Sequence, residues 1–199
     1  TIHINDIIQG IHLDDNAHHA ITRLLCLENT HNICYGTAIP SKYFIDVKKA
    51  LHPFNIKLHI DGARIFNAAI ALNEGVAVLA QPADSITCCL SKGLSCPAGS
   101  LIMGDNDFIL QARRLRKGLG GGMRQAGILA AAGLYALDHM INRLNEDHVN
   151  ARYLAQELVQ VHNIKIDLDK ISTNLIFFNL CTNKISDDEF IHRLLDYSI

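Results

Sequence analysis

Two residues, Asp61 and Lys92, limit the folds open to this chain more than any other pair. Each follows a short apolar run typical of a buried strand, residues 56–60 and 85–90, and a helix-like stretch over 63–72 lies between the runs. This order predicts a βαβ unit, which needs about 30 residues, and Asp61 and Lys92 are 31 positions apart. In an open parallel sheet, such a unit brings both side chains to the carboxyl ends of neighbouring strands, where ligands bind.

A carboxylate and a lysine in these places suit pyridoxal 5'-phosphate as a cofactor. The lysine amine would hold the cofactor aldehyde as a Schiff base, and the carboxylate would keep the pyridine nitrogen protonated so that the ring accepts carbanion charge. Each residue also has a simpler explanation. Lys92 could be a surface lysine after a strand, and Asp61 could be the N-cap of the helix that follows it.

Four short motifs extend this pattern along the chain: Glu28-Asn29-Thr30-His31-Asn32, His59-Ile60-Asp61-Gly62-Ala63-Arg64, Cys89-Leu90-Ser91-Lys92-Gly93-Leu94, and Leu119-Gly120-Gly121-Gly122-Met123-Arg124-Gln125-Ala126-Gly127. In order and spacing they closely resemble the low-specificity L-threonine aldolases, which are fold-type-I pyridoxal-phosphate enzymes. The resemblance runs over roughly residues 23–137. It implies an α/β fold with a mostly parallel sheet. It also implies a carbon-carbon lyase that cleaves L-threonine or L-allo-threonine to glycine and an aldehyde.

The resemblance assigns roles to individual residues of this chain. Lys92 and Asp61 are expected to bind the cofactor. Arg64, three residues past Asp61, is expected to contact the substrate carboxylate or the cofactor's phenolic oxygen, with a salt bridge at the helix start as the alternative. His31 is expected to take the proton of the substrate β-hydroxyl, directly or through a water, although it could instead only stabilise its loop.

The glycine run over residues 120–122 is a further candidate. Backbone N–H groups there, with Arg124 one turn into the next helix, could cradle an anion. The alternative is a simple turn between helices. In the family this stretch approaches the active site, which makes Lys117 a candidate substrate-binding residue. The chain departs from the family at Tyr35-Gly36, where a Gly-Gly pair is usual, and at Ser95-Cys96, and both changes are expected to affect loop conformation or substrate preference.

The hydrophobic pattern predicts alternating strands and helices, as in α/β proteins. We expect residues 1–145 to be the C-terminal portion of the cofactor-binding large domain, and residues 146–199 to begin a smaller α+β domain. The family's phosphate loop and ring-stacking histidine lie upstream of the matched region, and its carboxylate-binding arginine lies downstream. The chain is therefore expected to be an internal stretch of a longer protein and to be inactive by itself.

The predicted elements are given in chain order. Strands are expected over 23–28, 56–60, 85–90, 99–103, 164–168 and 174–180. Helices are expected from Pro40-Ser41 to Pro53, over 63–72, 105–117, 123–144 and 147–161, and from Asp187 onward.

Composition excludes several classes of partner. The formal net charge is -2 and long basic runs are absent, which argues against nucleic-acid binding. No apolar stretch reaches the roughly 18 residues of a membrane span, and no signal peptide is evident, so a cytoplasmic protein is expected. The six cysteines have no CxxC spacing and are expected to be buried free thiols. The eleven histidines show no HExxH spacing, so no metal site is expected.

Three functions remain compatible with the sequence. The first is threonine aldolase activity, with roles in threonine catabolism and glycine biosynthesis. The second is β-elimination from an amino acid on the same fold, because a ring that stabilises a carbanion serves either cleavage. The third is a truncated, inactive chain or an interaction scaffold. The resemblance implies a homotetramer, a dimer of dimers, with active sites at a dimer interface.

Overall fold

The computed structural model describes residues 1–182 and 184–198 of the 199-residue chain. The main sheet contains, in spatial order, β1 (Leu24–Glu28), β2 (Lys57–Asp61), β3 (Ser85–Cys89) and β4 (Ser100–Gly104). The first three strands are parallel, and β4 pairs antiparallel with β3. The helices are α1 (Ile4–Gln9), α2 (Ser41–Leu51), α3 (Ile65–Leu72), α4 (Val76–Ala80), α5 (Asn106–Gly118), α6 (Gly127–His139), α7 (Leu144–Leu158) and α8 (Asp187–Leu195).

The predicted βαβ unit is present, with α3 and α4 between the adjacent parallel strands β2 and β3. Side chains alternate between the two faces of each strand. Leu58 and Ile60 of β2 and Cys88 of β3 are buried, and they pack in one apolar cluster with residues of α2, α3 and α4. These three helices therefore cover one face of the sheet.

The opposite face of the sheet carries mostly polar side chains. Asp61 pairs in register with Thr87, and His59 pairs with Ser85 through both the strand register and a 2.8 Å contact between His59 Nδ1 and Ser85 Oγ. Cys26 is exposed on this face. Asp61 therefore points away from the apolar core, on the side where a ligand can reach it.

Asp84 connects the start of β3 to the rest of the sheet and to α2. Its Oδ2 accepts a 2.7 Å hydrogen bond from the Leu58 N–H and also pairs with the Lys48 ammonium, while Oδ1 lies 3.4 Å from Lys57 Nζ. Partial burial alone would raise the pKa of Asp84, but the Leu58 N–H, Lys48 and Lys57 outweigh burial and hold the pKa below its ordinary value.

We predict that Asp84→Asn lowers the free energy of unfolding at neutral pH by about 1–3 kcal/mol, because hydrogen bonds to a charged carboxylate are lost. The folded-state pKa is depressed, so the stabilisation is complete above the unfolded value of about 3.9 and disappears as pH falls through the folded pKa. Urea unfolding at several pH values measures this. Asp15→Asn, at an exposed site, is the control. If the difference in free energy of unfolding between the wild type and Asp84→Asn does not become smaller toward low pH, the stabilising role of the Asp84 carboxylate is wrong.

Several sequence expectations need correction in the C-terminal half. The helix expected over 123–144 begins only at Gly127 and ends at His139, and a turn over 140–143 leads into α7. No glycine or proline marks that turn. It redirects the chain so that α7 packs on α3, where Asn67 Nδ2 lies 3.1 Å from His148 Nε2. Tertiary packing of this kind overrides local helix preference.

The two last strands are also shorter than expected. Only β5 (Ile164–Lys165) and β6 (Asn179–Leu180) pair, and they are antiparallel. The first ends at Lys165, and a 3₁₀ turn follows at Leu168–Lys170. In the second, Leu175 and Phe177 lie against Gly36 and Tyr35 of the loop after β1. The division of the chain near residue 145 stays a prediction.

The cysteines are free thiols, as predicted, but they are not all buried. Cys88 and Cys96 are buried, Cys89 is half-buried, and Cys26, Cys34 and Cys181 are exposed. The neighbours Cys88 and Cys89 lie on opposite faces of β3, as strand geometry requires. Cys26 is exposed because it lies on the face of the sheet that the helices do not cover. The apolar residues around it in the sequence predicted burial instead.

Candidate active site

Asp61 ends β2 and is held by its neighbours at the carboxyl edge of the sheet. Its Oδ1 accepts a 3.0 Å hydrogen bond from the Ala63 N–H and a 3.4 Å hydrogen bond from Thr87 Oγ1. Arg64, not Asp61, occupies the N-cap position of α3. Asp61 therefore stabilises the turn that precedes the helix, and its carboxylate remains exposed.

Gly62 allows β2 and β3 to stay close beyond Asp61. Its N–H donates a 2.9 Å hydrogen bond to the Thr87 carbonyl. A Cβ at position 62 would lie 2.6 Å from that same carbonyl oxygen, so no larger residue fits without moving the strands apart. This close approach keeps the Asp61 carboxylate beside Thr87.

Lys92 lies in the loop after β3, and the loop rather than the strand fixes its position. Leu90 and Leu94, on either side of Lys92, are buried in a second apolar cluster that includes Leu144 at the start of α7. Within the loop, the Ser95 N–H donates to the Lys92 carbonyl at 2.8 Å. The Lys92 side chain itself is exposed and makes no hydrogen bond with any other described residue. Anchoring on both sides thus presents a free amine at the strand end.

Gly93 is where α7 comes closest to the lysine loop. A Cβ at this position would lie 2.6 Å from Leu144 Cδ2, and Leu144 is buried. The Gly93 backbone does not have a positive φ, so the glycine is required for space rather than for conformation. The start of α7 therefore helps to set the position of Lys92.

We predict that Gly93→Ala lowers the free energy of unfolding by about 1–3 kcal/mol, because the added methyl group overpacks the contact with Leu144. Gly127→Ala is the matched control, since no atom lies within 4 Å of a Cβ at that helical position. The control should leave stability unchanged or raise it by up to about 1 kcal/mol. Urea unfolding measures both variants, and equal effects would show that the contact does not constrain the loop.

His31 begins the loop after β1, and a buried amide holds that loop closed. Asn29 is fully buried, its Nδ2 donates to the Ile39 carbonyl at 2.9 Å, and its Oδ1 accepts from the Ile39 N–H at 3.0 Å. Next to His31, the buried Thr30 hydroxyl has no hydrogen-bond partner among the described residues. Unsatisfied buried polar atoms are rare and often accompany functional sites.

The far side of this loop is held by a segment distant in sequence. Thr173 Oγ1, which is buried, donates a 2.7 Å hydrogen bond to the Gly36 carbonyl. Gly36 has φ +64, and a Cβ there would lie 2.7 Å from Thr173 Oγ1. Beside it, the ring of Tyr35 packs edge-on against Phe177 at 5.2 Å and lies 4.6 Å from Lys170 Nζ. Tyr35 and Gly36, which stand where the resembled family usually has a Gly-Gly pair, therefore both contact residues 170–177.

The His31 ring is placed by two groups of its own motif region. Nδ1 accepts a 3.3 Å hydrogen bond from the Cys34 N–H, and Nε2 lies 3.8 Å from Oε2 of Glu28. Glu28 is a residue for which the sequence analysis assigned no role. Its place in the sequence could have indicated a role, because Glu28 lies three residues before His31, in the same motif and at the end of a strand.

Glu28, His31 and Asp61 line one cavity of about 570 Å³ at the carboxyl ends of β1 and β2. Lys92, Arg64 and Lys117 are not among its lining residues. A second cavity of the same volume lies at the opposite ends of the strands, beside Lys57 and Asp84. Because ligands of open α/β sheets bind at the carboxyl ends, the cavity with His31 and Asp61 is the candidate site.

The remaining predicted site residues do not line this cavity. Arg64 is half-buried at the start of α3 and forms no salt bridge with the described residues, so its guanidinium remains available. Lys117 lies in the last turn of α5, and its side chain packs against Gly122. Arg124 is exposed and precedes α6 rather than lying one turn inside it. The proposed anion cradle therefore lacks the helix start that the sequence predicted there.

Residues 1–182 and 184–198 contain no group of three or more His, Cys, Asp or Glu side chains that could hold a metal ion. None of their helices combines the length and the apolar character that crossing a membrane requires.

Comparison with known proteins identifies the family. A family model for β-eliminating lyases matches residues 1–181. The chain belongs to the β-eliminating lyase family. The low specificity L-threonine aldolase of Escherichia coli O157:H7 is 48% identical over 163 residues, which are 82% of this chain and 47% of that protein. Low-specificity L-threonine aldolase 1 of Arabidopsis thaliana is 46% identical over 159 residues, 80% of this chain and 44% of that protein.

Solved structures show the same fold at lower identity. Threonine aldolase from Leishmania major is similar with a TM-score of 0.70 and 18% identity, over 98% of this chain and 66% of that one. A PLP-dependent aminotransferase from Streptococcus suis 89-1591 gives a TM-score of 0.72 and 15% identity, over 98% of this chain and 50% of that one. The predicted α/β fold class and the family resemblance are confirmed. The chain spans about half the length of the curated relatives it matches.

The donor groups at the strand ends fit pyridoxal phosphate. A protonated ring nitrogen requires an anionic acceptor, and the cofactor aldehyde requires an amine. Asp61 offers a carboxylate that is oriented by Ala63 and Thr87, and Lys92 offers an exposed amine. The two residues follow the adjacent parallel strands β2 and β3.

Proposed function

We propose that the whole protein cleaves β-hydroxy-α-amino acids, L-threonine and L-allo-threonine among them, to glycine and an aldehyde. The observation that carries this proposal is the placement of Asp61 and Lys92 after adjacent parallel strands, in a chain that is nearly half identical to threonine aldolases. Pyridoxal phosphate, when bound, supplies the electron-accepting ring that stabilises charge on the substrate α-carbon.

Each of the site residues has a separate role in the proposed reaction. Lys92 holds the cofactor through its amine, and Asp61 keeps a proton on the ring nitrogen. Arg64 offers its unpaired guanidinium to the substrate carboxylate or to the cofactor. His31, in the cavity beside Asp61, takes the β-hydroxyl proton. Lys117 is a further candidate for contact with the substrate.

We predict that borohydride reduction of the whole protein with its cofactor leaves a pyridoxyl group on Lys92. Reduction makes the link between the amine and the cofactor permanent, so peptide mapping by mass spectrometry locates it. Lys92→Ala is the control and should carry no specific label. A label on a different lysine of the wild-type protein would refute the assignment of Lys92.

We predict that Asp61→Asn in the whole protein slows threonine cleavage at least about a hundredfold, which corresponds to about 2.7 kcal/mol of barrier. The amide carries no negative charge to hold the ring nitrogen protonated, while the cofactor can still bind to Lys92. Acetaldehyde release measures the rate, and the visible absorbance checks cofactor binding. Asp138→Asn, at an exposed position on α6, is the control. If Asp61→Asn has unchanged turnover, Asp61 only stabilises the turn before α3 and has no role in catalysis.

A second candidate function is β-elimination, which the family name itself includes. The same donor groups serve it, because both reactions leave charge on the α-carbon. The products separate the two reactions: glycine and acetaldehyde from threonine indicate aldol cleavage, whereas ammonia and a keto acid indicate elimination.

The proposal also covers the oligomeric state, the cellular location and the metabolic role of the protein. We infer a homotetramer in the cytoplasm, acting in threonine catabolism and glycine formation, from the resemblance to the aldolase family. Light scattering of the whole protein tests the assembly. A monomer with full activity would exclude active sites shared between subunits.

A further inference from the structure

The hydrogen bonds of His31 determine which of its ring nitrogens can act as a base. A backbone N–H can only donate, so Nδ1 accepts from Cys34 and must carry a lone pair. In the neutral ring the proton is therefore on Nε2, which faces Glu28 at 3.8 Å. Nδ1 is then the one nitrogen that can receive a proton, and its present bond to Cys34 is long, at 3.3 Å.

The Glu28 carboxylate is itself held in place. Its Oε1 accepts a 3.2 Å hydrogen bond from the Asn32 N–H, which leaves Oε2 toward the His31 ring. Glu28 ends β1 and pairs in register with Asp61 of β2, so the sheet fixes its backbone. An oriented carboxylate lies beside one ring nitrogen, and the lone pair of the other is engaged only by the long bond from the Cys34 N–H among the described residues. Displacement of that bond by a substrate hydroxyl gives the arrangement in which a histidine acts as a base.

We propose that Glu28 is the positioning residue for His31, which deepens the proposed function and rests on it. Glu28 keeps the proton on Nε2 and stabilises the cation that forms when Nδ1 is protonated. In that step the substrate O–H bond breaks and an Nδ1–H bond forms. The O–H electron pair becomes the second bond of the aldehyde carbonyl, and the Cα–Cβ bond breaks with its pair left on Cα. His31 then releases the Nδ1 proton to solvent and Cα takes up one proton from solvent, which completes glycine and restores the neutral ring.

Other ionisable groups face the same cavity and must be separated from Glu28 in the test. They are the Asp61 carboxylate, the thiols of Cys26 and Cys34 and the Tyr43 hydroxyl. Only Glu28 forms an ion pair with His31 among the described residues. A change that removes the Glu28 charge and keeps its shape therefore isolates the contribution of this carboxylate.

The test uses Glu28→Gln in the whole protein with its cofactor. Glutamine retains an oxygen for the Asn32 N–H but loses the charge that faces His31. We expect kcat for threonine cleavage to fall at least about tenfold, since acid–base catalysis as a whole contributes about 100- to 10,000-fold, with KM changed less than about twofold. Glu157→Gln, exposed on α7, is the matched control.

A double-mutant cycle shows whether Glu28 acts through His31. Glu28→Gln should cause no further loss in a His31→Asn background. Full additivity of the two losses would overturn the proposal, as would an unchanged kcat in Glu28→Gln. If Glu28→Gln does not fold, Glu28→Asp replaces it in the cycle: the shorter carboxylate should lose activity only when His31 is present.

A spectroscopic measurement keeps this proposal separate from the proposed function. The ¹⁵N shifts of labelled histidine report which ring nitrogen carries the proton, and the His31 signal is identified by its loss in His31→Asn. We expect the Nε2–H form in the wild type and a mixture of both forms in Glu28→Gln. Loss of threonine cleavage in every variant, the wild type included, would refute the proposed function alone. An Nδ1–H form in the wild type would refute the role of Glu28.

Discussion

The parallel pairing of β2 with β3 is the constraint on which the candidate site depends. It aligns Asp61 with Thr87 and continues through the Gly62 N–H, where only a glycine permits the strands to approach so closely. The carboxylate is thereby fixed at the sheet edge, and the loop carrying Lys92 starts beside it. A shift of one residue in this register would turn Asp61 into the apolar core, because side chains alternate along a strand.

The two loops at this edge derive their shape from residues far away in sequence. Gly93, next to the lysine, packs against Leu144 of α7. The loop that begins at His31 is held at Gly36 by Thr173 and at Tyr35 by Phe177. The loop that begins at His31 is also held by its own bonds, from the Asn29 side chain to Ile39 and from the His31 N–H to the Thr37 carbonyl. Local bonds and packing from the C-terminal half of the chain together supply the rigidity that an oriented site needs.

The carboxylates and the lysine at the site are held in place in different ways. Asp61 and Glu28 are oriented by backbone N–H groups of their own turns, from Ala63 and Asn32 respectively. The Lys92 side chain makes no such bond with the described residues, and its loop is held by the buried residues around it and by the Ser95 N–H bond to the Lys92 carbonyl. This difference suits their proposed work, since carboxylates must stay fixed while the amine must remain free to react with the cofactor.

The sequence by itself determined the βαβ unit, the placement of Asp61 and Lys92 after adjacent strands, and the family. These follow from local patterns: apolar runs of strand length, helix periodicity between them, and short motifs in order. The helix over 41–51 was predictable for the same reason, because Phe44, Val47 and Leu51 recur at helical spacing and are all buried.

Only the tertiary structure decided the features that arise from contacts distant in sequence. Periodicity carries no information about them. The turn over 140–143 brings α7 against α3, and Thr173 and Phe177 contact the loop that begins at His31. The partnership of Glu28 with His31 depends on a loop conformation set by Asn29 and Ile39. The sequence named the groups of the site, and long-range packing decided how each of them is oriented.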